Sequence, residues 1–147
     1  MLQQVREQLS GCDRFLLGID MVKDRSVLGP AYDDSMGVTA EFNRNILYRI
    51  NRDFDGDLDP DSFAHVALWN PEASRMEMHL ESVKPQTARL RILNLTIRFR
   101  AGERIHTENS HKYTLPMVKR MLAQAGLTLN RTWMDECKWF GLHLASL

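Results

Sequence analysis

The clearest periodicity in the chain lies in residues 37–54, "GVTAEFNRNILYRINRDF". Phe42, Ile46 and Ile50 recur four apart, and Val38, Leu47 and Phe54 widen the stripe. This spacing predicts an amphipathic helix with the stripe turned to a core. Near the N-terminus, "LQQVREQL" places Val5 and Leu9 at helical spacing, with Gly11 as the stop. "RFLLGID" then follows as a short, almost wholly apolar run. Such a run predicts a strand buried on both faces, as in a parallel sheet. "KDRSVLGPAYDD" predicts a short helix broken at Gly29-Pro30, followed by a loop. "HVALWN", "RMEMHLESV", "ARLRI" and "LTIRFR" alternate apolar and polar, which predicts antiparallel strands with one covered face. Thr114 can cap a helix with Pro116 in its first turn and Gly126 at its end. "LTLNRTWMD" and "WFGLHLAS" read as two closing strands.

The order is therefore helix, buried strand, an insertion, then helix, strand, strand. A helix leading into a buried strand is half of a βαβ unit, and the expected preceding strand is missing. The fold class expected is α/β: residues 1–20 and 107–147 form part of a doubly wound sheet, and residues 21–106 form an inserted α+β lobe. Ligands of such sheets bind outside the carboxyl ends of the strands, and the insertion leaves from such an end, after Asp20.

Charge narrows the function classes. The 147 residues carry 19 basic and 19 acidic side chains, which removes the electrostatic reason to expect nucleic-acid or anionic-membrane binding. No run approaches the roughly 20 apolar residues that span a bilayer, and the polar N-terminus is no signal peptide. Cys12 and Cys137 make neither a disulfide framework nor a zinc site. A reducing cytoplasm is the expected compartment.

Several motifs reduce to ordinary structure. "DFDGDLDPD" has the wrong register for an EF-hand: counted from Asp53, Gly56 falls at position 4 and Ala64 at position 12. An acidic turn with a cap from Asp59 or Asp61 is expected. No two histidines have the i, i+4 spacing of a helical zinc motif, and His106 and His111 would face opposite ways on a strand, so no metal site is expected. His143 reads as a satisfied histidine at a sheet end. There is no Walker loop, no G-x-S-x-G and no G-x-G-x-x-G.

"RIHTENSHKY", residues 104–113, does not reduce so easily. If "LTIRFR" is followed by another strand, His106, Glu108, Ser110 and Lys112 share one face, and neither face suits a dry core. A carboxylate and a hydroxyl two residues apart, Glu108 and Ser110, can grip a ring with two nitrogens such as imidazole. An exposed edge strand is an equal alternative. Tyr32, in "AYDDSMGVT", can offer its hydroxyl to a ligand carboxylate or simply pack beside the next helix. Met78 shares a strand face with Met76 and Leu80, usually a core pattern and less often an adaptable pocket wall.

The blocks "LLGIDMVKDRSVLGPAYDDSMGVTAEFNRNIL", "HVALWNPEASRMEMHL", "GERIHTENSHKYT" and "WMDECKWFGLHLA" resemble the histidine-specific S-adenosylmethionine-dependent methyltransferases, including the L-histidine Nα-methyltransferase of ergothioneine biosynthesis, which makes hercynine. The resemblance covers essentially the whole chain. It implies the C-terminal part of a Rossmann-like methyltransferase sheet with an inserted substrate-binding lobe. It also implies that Tyr32 meets the amino-acid head group, Met78 lies against the imidazole, and Glu108 and Ser110 bond its two nitrogens. The resemblance implies that these four are positioning residues, with no acid–base or covalent catalyst among them. The family's glycine-rich loop, its acidic ribose ligand and its substrate-binding Asn have no counterpart here, so S-adenosylmethionine would be held mainly by an N-terminal half absent from the chain. The expected partners are L-histidine and either that separate half or a second copy. The alternative function is a non-catalytic domain of this family that binds an amino acid or a protein.

Overall fold

The computed structural model describes all residues, Met1–Leu147, and the chain divides into two compact units. Residues 1–23 and 111–147 form the first, and residues 24–110 the second.

The first unit contains α1 (Leu2–Gln8), β1 (Phe15–Asp20), α4 (Leu115–Gln124), numbered in chain order, and the strands β7 (Thr128–Met134) and β8 (Phe140–Ser146). Its open sheet has the order β1-β8-β7. β8 is antiparallel to both neighbours, so β1 and β7 run parallel to each other. This is a mixed, Rossmann-like α/β sheet. One face carries Ile19 and Ala145, which pack with Leu2 of α1 and Val118 and Leu122 of α4 in one core. The α4 helix starts and stops as its sequence predicts. The Thr114 hydroxyl accepts from the Met117 N–H, and Gly126, at φ 74°, closes the helix with Leu127 N–H bonded to the Leu122 carbonyl. Gly11 does not play that part for α1, which ends at Leu9 in extended backbone.

The expectation for β1 is corrected. The strand is not buried on both faces of a parallel sheet: it pairs antiparallel with β8, and its residues alternate in burial. Leu16 is 55% exposed, and Phe140, Leu142 and Trp133 are exposed too. The register puts these four on the face opposite the helices. The run reads as doubly buried because both faces are apolar, yet only one is covered within this chain.

Beyond β1 the backbone is joined to the segment that returns after Ser110. Met21 and Tyr113 form a parallel bridge, with Tyr113 N–H bonded to the Asp20 carbonyl and Val22 N–H to the Tyr113 carbonyl. The Lys112 side chain, 1% exposed, places its ammonium 2.6 Å from the Asp20 carboxylate, which also pairs with Lys23. Burial pushes the Asp20 carboxyl up, but hydrogen bonds and charge from Lys112 and Lys23 outweigh this and hold it below the usual range.

The second unit holds α2 (Arg25–Tyr32), α3 (Val38–Phe54), a 3-10 turn at Pro60–Ser62, β2 (Phe63–Asn70), β3 (Arg75–Ser82), β4 (Gln86–Leu90), β5 (Leu95–Phe99) and nearly all of β6 (Arg104–His111). β2-β3-β6 form one sheet and β4-β5 a hairpin. Leu47, Phe63, Leu80 and Phe99 share its core, with the two Phe rings edge to face at 5.2 Å. Asp59 caps the turn, as the acidic sequence predicts. Two expectations change. The α2 helix runs through Gly29-Pro30: the Asp24 carboxylate accepts from Ser26 N–H and Asp33 N–H bonds the Gly29 carbonyl, so Pro30 forfeits only its own N–H bond. The α3 helix rests on Asn43, Leu47, Ile50 and Phe54, while Phe42 is 62% exposed and Val38 and Ile46 are exposed as well. No helix is long and apolar enough to cross a membrane.

Asp20→Asn should destabilise the chain by about 2–3 kcal/mol, the lower end for a buried pair because Asp20 itself is about one-third exposed. The Asp20 carboxyl is depressed in the folded state, so its contribution is present above the ordinary carboxylate pKa and lost as pH falls. Urea midpoints of the two proteins should therefore differ at neutral pH and converge in acid. Equal midpoints at neutral pH would remove this role from the pair.

Candidate functional site

All four residues singled out in the sequence lie in the second unit. The site is built on β6. Ile105 and Thr107 are half-buried and Arg104 and His106 exposed, as strand alternation requires. The alternation then slips. Glu108 and Asn109 are both exposed, and Ser110 is half-buried. Glu108 and Ser110 therefore do not share one environment, as simple alternation predicts. After Ile105 every side chain of β6 is polar, so this part of the strand has no apolar stripe to enforce a strict phase.

Tyr32 and Ser110 meet directly, with their hydroxyl oxygens 2.7 Å apart. This contact joins the end of α2 to β6 across 78 residues of sequence. Met78 is buried in β3, and its backbone carbonyl accepts from the Thr107 hydroxyl at 2.9 Å, tying β3 to β6 beside Glu108. Glu108 borders an open cleft of about 280 Å³ whose other walls are Phe42, Asn43, Asn45, Ile46, Arg49 and Thr107. That volume is near the lower end for small-molecule sites, roughly 300 Å³ and upward. The exposed apolar flank of α3 is thus a wall of this cleft rather than misplaced core.

A hydrogen-bonded chain that the sequence did not reveal fixes the helices around the cleft. The Asn43 amide, buried in mid-helix, donates to His65 Nδ1 at 2.9 Å and to the His79 carbonyl at 3.0 Å. His65 Nδ1 must then accept, leaving Nε2 to carry the proton and donate to the Tyr32 carbonyl at 2.7 Å. Tyr32 is consequently held at its backbone by His65 and at its hydroxyl by Ser110. The available signal for Asn43 was a polar residue within the apolar stripe of α3. His65 gave none, because its partners are far off in sequence.

The turn after Tyr32 is held by Asp34, whose carboxylate accepts from Val38 N–H at 3.0 Å and Thr39 N–H at 2.8 Å. Those backbone and side-chain hydrogen bonds, Thr39 first, lower its pKa to about 2. His143, expected to be satisfied, is buried with Nδ1 on Thr132 at 3.0 Å, but its Nε2 has no partner. Cys12 and Cys137 are exposed free thiols.

Residues 21–24, which follow β1, contain no glycine.

A family model described as "Histidine-specific methyltransferase, SAM-dependent" matches residues 1–147. The chain is 49% identical over 134 residues to a protein of Mycobacterium tuberculosis (strain CDC 1551 / Oshkosh) named histidine N-alpha-methyltransferase, covering 91% of this chain and 42% of that one. A protein of the same name from Mycolicibacterium smegmatis (strain ATCC 700084 / mc(2)155) is 44% identical over 144 residues, 98% of this chain and 45% of its own length. The chain thus spans under half the length of these relatives.

Because the Asp34 pKa is depressed, the turn's contribution to stability is full above the ordinary carboxylate pKa of about 3.8 and lost as pH falls toward about 2. Asp34→Asn should lower stability at neutral pH and flatten the acid limb in that window. Urea midpoints at a series of pH values measure both effects, and parallel acid limbs would show that the cap does not titrate as described.

Proposed function

The chain belongs to the family of histidine-specific, S-adenosylmethionine-dependent methyltransferases, and from that premise we propose that it is the C-terminal, substrate-reading portion of an enzyme that trimethylates the α-amino group of L-histidine to hercynine, in the ergothioneine pathway. The observation that carries this reading is the Tyr32–Ser110 contact beside the Glu108 cleft. It brings a phenol, a hydroxyl and a carboxylate from distant parts of the sequence to one strand and its neighbouring helices.

Each side chain then has a positioning task. Glu108 accepts from one ring N–H of histidine, Ser110 bonds the other ring nitrogen, and Met78 lies against the imidazole. Tyr32 turns its hydroxyl to the amino-acid head group. Methyl transfer requires a neutral amine held with its lone pair aimed at the methyl carbon, so orientation is the main contribution of these residues. None of them needs to be a nucleophile or a proton shuttle. Residues 1–20 and 107–147 form the methyltransferase portion in this reading, and residues 21–106 the substrate lobe.

S-adenosylmethionine supplies the methyl group, and its main contacts are assigned to the N-terminal portion of the longer relatives. The open apolar sheet face formed by Leu16, Trp133, Phe140 and Leu142 supports a partner: a separately supplied N-terminal half, or a second copy. Apolar surface left open on a sheet favours association.

Glu108→Ala, in the chain assembled with that half, should weaken L-histidine binding by about 1–3 kcal/mol, the cost of an unpaired buried ring N–H. Isothermal titration measures it. Unchanged affinity would sink the assignment of Glu108, and an assembly that methylates no histidine would sink the proposed activity.

A further inference from the structure

A different cluster lies on the same sheet, and the function above does not use it. Glu77 and His79 are two apart on β3, on the face opposite Met76, Met78 and Leu80. The pairing of β3 with β6 brings His106 to them. The three residues offer one carboxylate oxygen and two imidazole nitrogens, all within 4.8 Å of one another. We propose that Glu77, His79 and His106 bind one divalent transition-metal ion of the zinc type.

The surrounding contacts prepare the ligand atoms. Glu77 Oε1 is held by the Asn70 amide at 2.9 Å and by Arg75 at 2.7 and 2.8 Å. This turns Oε2 toward the His79 ring, whose Nε2 is 3.9 Å away. His106 Nε2 faces two acceptors, the Asn109 side-chain oxygen at 2.8 Å and the Glu108 carbonyl at 3.2 Å. That nitrogen therefore carries the proton, and Nδ1 is left with its lone pair. An imidazole donating through one nitrogen to an amide oxygen while coordinating through the other is the usual outer shell of a metal-bound histidine.

His79 is buried, and its Nε2, the nitrogen that faces Glu77 Oε2, lies 3.9 Å from it, beyond hydrogen-bond reach, so no direct hydrogen bond closes the pair.

Geometry and charge set the ion. Metal–ligand bonds of about 2.0–2.2 Å place the donors of a tetrahedral site about 3.4 Å apart, so these donors, within 4.8 Å of one another, must draw together, a movement open to the exposed His106 ring. Two imidazoles and one carboxylate favour Zn²⁺ or Co²⁺ over Ca²⁺ or Mg²⁺. Three protein ligands leave the fourth position to water. Arg75 beside Glu77, and Arg104, whose charge reaches His79, oppose the cation and lower affinity without blocking a ligand atom.

The test is titration of the full chain with Co²⁺, followed by displacement with Zn²⁺. One ion per chain, with the intense visible bands of tetrahedral cobalt, is expected. His106→Ala and Glu77→Gln should each weaken binding about tenfold or more, and Asn109→Ala about tenfold through loss of the ring's orientation. His111→Ala, at an exposed strand histidine, should leave it unchanged. Thermal melts of the two ligand variants should match the parent, because neither change disturbs the core. Absence of one-to-one binding, or the same affinity and spectrum in His106→Ala, would overturn the proposal.

Discussion

The buried pairing of Lys112 with Asp20 is the constraint on which the organisation of the chain depends. A 1% exposed ammonium is tolerated because a carboxylate lies 2.6 Å away. That pairing sits beside the Met21–Tyr113 bridge, so the segment leaving β1 and the segment following β6 run side by side. An excursion whose ends start and finish together costs its host little beyond loop closure. The first unit therefore completes its own sheet with α4, β7 and β8, and residues 24–110 keep a separate core.

In the first unit, the placement of β8 between β1 and β7 gives a mixed open sheet with α1 and α4 on one face. The opposite face is apolar and exposed at Leu16, Phe140, Leu142 and Trp133. Even the polar Arg131 lies with its guanidinium 4.8 Å over the Trp133 ring. The relatives are more than twice as long as the stretch matched here, which gives the proposed partner of this face its basis.

In the second unit, the cleft exists because α3 turns two faces to two different tasks. Leu47, Ile50 and Phe54 serve the core, and Phe42 and Ile46 line the opening beside Glu108. Asn43 lies between these tasks. Its amide links His65 and β3, and through His65 it holds the backbone of Tyr32. Polar groups buried this way cost stability unless each is bonded, so the network fixes one arrangement of helices on sheet. The same sheet carries the Glu77–His79–His106 cluster on its other face.

Local chemistry was legible from the sequence alone. Thr114 and Gly126 bound α4, and alternation marks the strands, because caps and periodicity act between residues a few positions apart. The candidate residues Tyr32, Met78, Glu108 and Ser110 were likewise nameable, from polar side chains where a core was expected and from a family resemblance over most of the chain. What only the tertiary structure decided was partnership. It gave β1 an antiparallel neighbour and one open face, carried α2 through Gly29-Pro30, and divided the stripe of α3 between core and cleft. It also left Glu108 exposed and Ser110 half-buried, and set His106 beside His79 across 27 residues. Periodicity says which residues share a face, but not what covers that face. Burial and pairing depend on elements far away in the chain, and those are chosen by packing.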